Sequence, residues 1–387
     1  MELTMKLFNT ATNTIDSFQP NQTVKIYTCG ITPYDATHIG HAATYLIYDV
    51  LQRRLRDLGY ETQCVRNITD VDDDILRKAR ELGVHYLDLA AKETARFDSD
   101  MKALEMIPSW SEPRATSAIA EIRNFIGQLL EKGSAYEING SVYFDIGGAS
   151  NFGDLSGLKR DEMIALAAER GGNPNDPQKR DPLDFVLWQP SLQDEPSWES
   201  RWGPGRPGWH VECSVLAMRD LDSETIDLHG GGADLIFPHH ECERVQSEAV
   251  TGKPFVRHWV HQAMVEMEGE KMSKSLGNLV FVSDLRKKYD PRAIRLGVVA
   301  HHYRTPWSWD KKVMPQAQER LQKWISAGSG TYGIEKVREC LDNDLDTPGA
   351  IAIIDELAES GNGISDAAML LGVDVGRLYQ VEEIQVE

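Results

Sequence analysis

The chain has 387 residues and a formal net charge of −19, and 41% of its residues are hydrophobic. That length supports two or three domains around a sizeable core; no apolar run is long enough to cross a bilayer, and the first residues carry no signal-peptide pattern. The negative charge argues against broad nonspecific binding to nucleic acid, and the five scattered cysteines suit a reducing cytoplasm with thiols free for metal, not a disulfide framework.

Val24-Lys25-Ile26-Tyr27 is a short β-prone run. Turn residues from Gly30 to Asp35 follow, and then a helical segment opening at His38-Ile39-Gly40-His41, with Ala42, Tyr45, Leu46 and Val50 on its buried face. A strand passing through a glycine turn into a helix N-terminus offers unpaired N–H groups and a positive dipole end to phosphate. His38 and His41 stand at that mouth as further donors to an anionic phosphoryl group, and Cys29 lies at the carboxyl end of the strand, where α/β sheets bind ligands. Taken alone, the His-x-x-His spacing more readily describes two surface histidines. A second strand over 61–66 runs into Asn67-Ile68-Thr69-Asp70. The cluster Asp70, Asp72, Asp73, Asp74 invites a divalent-metal reading, but carboxylates favour a helix N-terminus, so it reads better as the cap of a helix over 75–82. Strand, crossover helix and strand predict an α/β protein with a doubly wound parallel sheet.

Residues 86–200 look like an insertion, with amphipathic helices near 87–104 and 115–132 and a hairpin over 136–146 turning at Asn139-Gly140. Glu169-Arg170-Gly171-Gly172-Asn173-Pro174 reads as a helix C-cap glycine followed by a turn. The sheet is expected to resume at the β-prone run 184–188. A strand over 225–228 runs into His229-Gly230-Gly231-Gly232-Ala233-Asp234, whose glycines let a nucleotide approach the backbone and whose Asp234 can accept from ribose hydroxyls. Pro238-His239-His240-Glu241 opens another helix. From 285 onward the pattern is helical, with Asp290-Pro291 as an N-cap and N1 pair and further helices near 311–325 and 348–357. Residues 311–387 carry 14 acidic and 7 basic side chains.

Zinc takes thiolate, imidazole and carboxylate ligands in a tetrahedron. Cys29 ends one strand, Cys213 follows another, and His239 and Glu243 at i, i+4 share one helical face. No compact Cys-x-x-Cys is present, and spacing alone leaves His210, His240 and Cys242 as alternatives.

Lys271-Met272-Ser273-Lys274-Ser275, followed by Leu276-Gly277-Asn278, resembles the mobile KMSKS loop of class I aminoacyl-tRNA synthetases, and His38-Ile39-Gly40-His41 resembles their HIGH signature. Thr28-Cys29-Gly30, Asn67-Ile68-Thr69-Asp70, Gly208-Trp209-His210-Val211-Glu212-Cys213, His229-Gly230-Gly231-Gly232 and Phe237-Pro238-His239-His240-Glu241 extend the resemblance, over about residues 5–358, to the cysteinyl-tRNA synthetase family. Cys29-Gly30-Ile31-Thr32-Pro33-Tyr34-Asp35 and the Glu169–Pro174 motif are similar to its branch of mycothiol-pathway cysteine ligases. Asn173 stands where that branch has Asp, and Glu243 keeps a carboxylate typical of the tRNA enzymes.

The resemblance implies a class I synthetase-like Rossmann (HUP) fold. Residues 1–85 and 201–265 would form the halves of the catalytic domain around the connective insertion 86–200. A KMSKS-bearing, stem-contact-like region (266–310) and a C-terminal helical segment (311–387) would follow. It further implies ATP-driven activation of L-cysteine and transfer to the amine of glucosaminyl-inositol, with Mg²⁺ accompanying ATP but no dedicated protein cage for it. Zn²⁺ would bind the substrate thiolate and exclude serine, a much poorer ligand, held by Cys29, Cys213 and His239 with Glu243 at the fourth position. His38, His41, Lys271 and Lys274 would stabilise the reacting phosphates. Cys29, Gly30, Ile31, Thr32, Thr44, Asn67, Ile68, Thr69, Trp209, Gly232, Ala233, Asp234 and Val265 would line the adenylate pocket. A cytoplasmic monomer without membrane attachment is expected. The acidic stretch after 310 leaves neither the basic footprint nor the length for an anticodon-binding domain, so tRNA is not the expected acceptor. A short cysteinyl-tRNA synthetase is the alternative enzyme, and a silent cysteine-sensing or partner-binding paralogue the alternative of another class; intact HIGH and KMSKS motifs stand against the latter.

Overall fold

The structure, a computed structural model, describes residues 5–267, 269–272 and 277–377. Its centre is a parallel sheet of four strands, β1 (Thr23–Ile31), β2 (Glu61–Ile68), β3 (Ile226–Gly232) and β4 (Val256–Gln262), in the order β4-β3-β1-β2. Strand β1 is buried on both faces, and its side chains alternate between them. Val24 and Ile26 enter one hydrophobic cluster, Tyr27 and Cys29 the other. Helix α1 (Ile39–Asp57) lies in the first cluster. Helices α2 (Trp209–Asp220) and α3 (Glu241–Thr251) lie in the second, so the sheet is covered on both sides.

Between β2 and α2 the chain forms a helical stretch and then an antiparallel sheet of Ala135–Ile138, Ser141–Phe144, Phe185–Pro190 and Gly205–Pro207. Asn139 (φ 53°) and Gly140 (φ 84°) turn the hairpin with both residues left-handed, as an Asn-Gly type I′ turn requires. The run expected to resume the parallel sheet at 184–188 instead pairs antiparallel with this hairpin, Tyr143 opposite Val186. The parallel sheet resumes only at Ile226. A β-prone run specifies a strand, not its neighbour, and the open hairpin edge was the nearer template. Asp72 caps the helix Asp73–Leu82, accepting from the Ile75 N–H at 2.8 Å, as the acidic cluster predicted.

The C-terminal helices Val313–Ala327, Ile334–Asp342, Thr347–Glu359 and Ser365–Leu370 pack on the α1 side. Leu321, Trp324, Leu341 and Ile354 share one apolar cluster with Val50 and Leu51 of α1. Arg54 forks onto Asp342 at 2.8 and 2.7 Å, and Arg338 onto Asp57 at 2.8 and 2.6 Å. The Asp344 carboxylate accepts from Phe8 N at 2.8 Å and from the Tyr303 hydroxyl at 2.5 Å, binding the same segment to the N-terminal hairpin of Lys6–Asn9 and Thr14–Ser17. Among the described residues no helix is long and apolar enough to cross a membrane.

Candidate active site and metal centre

Strands β1 and β3 pair only from Ile26–Leu228 to Thr28–Gly230. Beyond that point β1 follows β2 as far as Ile31–Ile68, and β3 follows β4 as far as Gly232–Gln262. The strand order reverses here, and the crevice at the carboxyl ends is where such sheets take ligands. Gly30 crosses the floor so closely that a Cβ would lie 1.5 Å from the Asn67 carbonyl oxygen, and its N–H donates to Asn67 Oδ1 at 2.8 Å. Asn67 Nδ2 in turn donates to Thr69 Oγ1 at 3.0 Å, and the Thr69 N–H to the Ile31 carbonyl at 3.0 Å. Tyr48 of α1 pins the far wall. Its hydroxyl accepts from the Gly231 N–H at 2.7 Å and donates to the Val260 carbonyl at 2.7 Å. Gly232 faces Thr44, whose Oγ1 would be 4.0 Å from an added Cβ. Asp234 is exposed, Val265 is buried in the strand Val265–Met267, and half-buried Trp209 stacks on His239 at 4.0 Å.

Helix α1 opens onto the crevice. His38 is its N-cap, and Nδ1 accepts from the Gly40 N–H at 3.1 Å, which puts the imidazole proton on Nε2. His41 stacks on His38 with ring centroids 3.8 Å apart. Both rings are half-buried, and no acidic side chain in the first turn offsets the positive helix end. The chain returns to this mouth after the KMSKS motif, the Ile39 N–H donating to the Val280 carbonyl at 2.8 Å and the Val282 N–H to the Thr37 carbonyl at 3.0 Å. The backbone of Lys271 lies in the strand Glu270–Lys271; its side chain and the whole of Lys274 lie outside the described residues.

Four donors converge behind the crevice. Cys29 comes from β1, Cys213 from the start of α2, His239 from the turn before α3, and Glu243 from α3 itself; all are buried, with ligand atoms within 4.8 Å of one another. Cys213 thus sits on a helix, not after a strand, and α3 begins at Glu241, three residues later than the Pro238 start predicted. The i, i+4 relation survives this shift, with His239 Nε2 3.0 Å from Glu243 Oε1. That contact is not aligned as a hydrogen bond, and the buried His239 Nε2 has no hydrogen-bond partner among the described residues. Two thiols, an imidazole and a carboxylate are the donor set zinc prefers. Burial pushes the Cys29 thiol well up and the His239 imidazole well down. The imidazole is therefore neutral and ready to ligate, whereas the thiol ionises only against a cation.

A second grouping, Cys29, His229, His240 and Glu243, shares two of these donors. His229 Nε2 lies 3.0 Å from Glu243 Oε2 and His240 Nε2 3.3 Å from Cys29 Sγ, so these rings contact two of the four candidate donors from outside. His240 continues to His261 at 2.7 Å and His261 to Thr10 Oγ1 at 2.7 Å. His210 meets His239, Nδ1 to Nδ1, at 2.8 Å. Burial holds His210 and His261 down to about 3, so both rings are neutral. Sequence reasoning gave His229 and His261 no role and left His240 among alternatives. The usable signal was a buried histidine in a strand of the central sheet, which needs a polar partner. Glu212, fully buried with neither carboxylate oxygen hydrogen-bonded, was also missed.

The family model of the class I (C) tRNA synthetase catalytic domain matches residues 16–319. A Thermobispora bispora protein described as L-cysteine:1D-myo-inositol 2-amino-2-deoxy-alpha-D-glucopyranoside ligase is 45% identical over 95% of this chain and 93% of its own length. A Mycolicibacterium gilvum protein of the same description is 47% identical over 92% of this chain and 82% of its own. Among solved structures, Mycobacterium tuberculosis methionyl-tRNA synthetase in complex with methionyl-adenylate superposes with a TM-score of 0.64 at 16% identity, covering 87% of this chain and 83% of that one, a likeness of fold alone.

Proposed function

The chain belongs to the family of class I (C) tRNA synthetase catalytic domains, in its branch of cysteine:glucosaminyl-inositol ligases, and from that premise we propose that it activates L-cysteine with ATP and transfers it to the amine of glucosaminyl-inositol. The observation that carries this reading is the juxtaposition of two unlike sites at one crevice: the Cys29, Cys213, His239, Glu243 cluster on one side and, on the other, the N-terminus of α1, whose first turn holds no acidic side chain.

In the first step a carboxylate oxygen of cysteine attacks the α-phosphorus of ATP, and the bond to pyrophosphate breaks. His38 Nε2–H and His41 are positioned as donors at a helix end that favours negative charge, where the pentavalent phosphorus gathers it. Lys271 and Lys274 would add charge on the side of the departing pyrophosphate, with Mg²⁺ arriving with ATP. Gly30, held against Asn67, would set the floor under the nucleotide, Gly232 and Thr44 would face it from the wall, and Asp234 would accept from ribose. Cys29, Cys213, His239 and Glu243 would hold zinc, which would supply a soft acceptor for the substrate thiolate and so separate cysteine from serine. In the second step the sugar amine attacks the carbonyl carbon of the adenylate, the bond from that carbon to the phosphate oxygen breaks to release AMP, and the amine's proton passes to solvent. We place the reaction in the cytoplasm, carried by a monomer.

The test offers one preparation both acceptors, glucosaminyl-inositol and tRNA, with ATP and cysteine over a range of salt. Ligation to the sugar, weakly dependent on salt, is expected, because a small polar acceptor is held by hydrogen bonds. Transfer to tRNA would instead fall steeply, with a slope of about 0.9 per neutralised phosphate in duplex regions. Efficient charging of tRNA with none of the sugar would overturn the reading in favour of a cysteinyl-tRNA synthetase.

A further inference from the structure

The Glu169–Pro174 motif takes no part in the chemistry above, yet its arginine reaches into the site. The helix Arg160–Glu169 stops in a Schellman turn: Gly171 is left-handed (φ 81°), and the Gly172 N–H returns to the Ala167 carbonyl at 2.7 Å. Lys179 Nζ holds the turn by donating to the Gly172 carbonyl. The helix end so fixed carries Arg170, whose Nη1 donates to two main-chain carbonyls, those of Asp234 and Phe237.

Those carbonyls belong to the turn between β3 and His239. The chain leaves β3 at Gly232, makes a 3-10 turn over Ala233–Leu235 and enters the turn Ile236–His240, which Phe237 interrupts with extended angles (φ −136°, ψ 135°). A break of that kind leaves carbonyls without helical partners, and Arg170 satisfies two of them with one charged group. Three residues after Asp234 comes Phe237, and two after that the metal-site histidine, His239. A single cation from the insertion therefore fixes both the nucleotide-facing Asp234 and the approach of His239 to Cys29 and Cys213.

We infer that Arg170 is a positioning residue for the activation step, locking the 234–239 turn so that the nucleotide wall and the metal ligand keep one geometry. The inference rests on the proposed function. A misplacement of about 1 Å at a reacting centre costs roughly 100-fold in rate, and that is the effect expected of Arg170→Ala on kcat/KM for ATP in cysteine-dependent ATP–pyrophosphate exchange. Zinc, loaded beforehand, should also leave the variant to a chelator faster, while the thermal midpoint stays close to that of the parent. Arg170→Lys, which keeps a charged donor, should recover most of both losses. If the alanine variant does not fold, Arg170→Gln is measured in its place. Unaltered kcat/KM and unaltered zinc release in the variant, with an active parent, overturn the inference. So does a loss that Lys does not rescue and that matches a fall in folded protein. A parent protein without cysteine-dependent exchange overturns the functional reading beneath it instead.

Discussion

Histidines stand in two opposite settings within one crevice. His38 and His41 sit half-buried at the start of α1, stacked on each other, with a proton on His38 Nε2 fixed by the N-cap bond and the helix dipole behind them. His210, His229, His239, His240 and His261 lie in a packed cluster, tied to one another, to Glu243 and to Cys29. Burial disfavours the imidazolium strongly at His239 and His240, which keeps their lone pairs available. The residue type is the same; on the proposed function, burial would decide whether it offers a proton to an anion or a lone pair to a cation.

The largest effects should come from the buried side. Cys29 is the thiol common to both metal groupings, so Cys29→Ser is expected to abolish retained zinc and to reduce exchange to background. Apparent folding-coupled zinc affinities of about 10–16 kcal/mol in small zinc domains show how much such a ligand set can hold. Metal analysis of the purified variant decides it, and stoichiometric zinc would dissolve the distinction drawn above. On the exposed side, His41→Ala should slow exchange by about 100- to 1000-fold, the loss typical of one transition-state donor, with zinc content unchanged. Loss of zinc from that variant would show that the two sets of histidines are one system.

Glu243 sharpens the comparison because its carboxylate faces both ways, Oε1 toward His239 and Cys29 and Oε2 toward His229. If it ligates, Glu243→Gln should weaken zinc retention by about 10- to 100-fold, the range reported when ligand-bracing partners are lost being a lower guide. Unchanged retention in a chelator competition would leave a three-ligand site with an open position for substrate thiolate.

Local chemistry was legible where one stretch of chain decides the outcome. Asn139-Gly140 set the hairpin, Asp72 set a helix start, and His38 set another. Gly171 ended its helix as the motif predicted. Long-range assembly was not legible in the same way. The strand Phe185–Pro190 gave its propensity but not its partner. His229 and His261 became site residues only because β3 and β4 lie side by side. The Arg54–Asp342 pair spans 288 positions, and nothing in either neighbourhood announces the other. Cys29, Cys213, His239 and Glu243 could be named because a family resemblance supplied them; their spacing alone left His210, His240 and Cys242 in contention.

Asp72 puts the same rule, that burial sets protonation, to a carboxylate, and here the expected effect is smallest. Its carboxyl accepts from the Ile75 N–H at 2.8 Å and from the Thr32 hydroxyl at 3.1 Å, yet burial, aided by the neighbouring Asp74 and Asp73, raises it to about 6. An unfolded Asp titrates near ~3.9, so the folded state binds this proton more tightly. The resulting stability is fully present below ~3.9 and is lost as pH rises through about 6. At neutral pH the ionised carboxylate is therefore a burden that a neutral isostere removes. Asn at this position keeps an oxygen for the Ile75 N–H, since Asn caps helices about as well as Asp. Asp72→Asn should match the parent at pH 4 and exceed it at pH 7 by about 1–2 kcal/mol, a fraction of the shift at ~1.4 kcal/mol per pKa unit. Denaturant unfolding at the two pH values measures it. A variant less stable than the parent at pH 7 would mean that the helix N-terminus stabilises the charge more than burial opposes it, and that exposure alone does not decide protonation at this crevice.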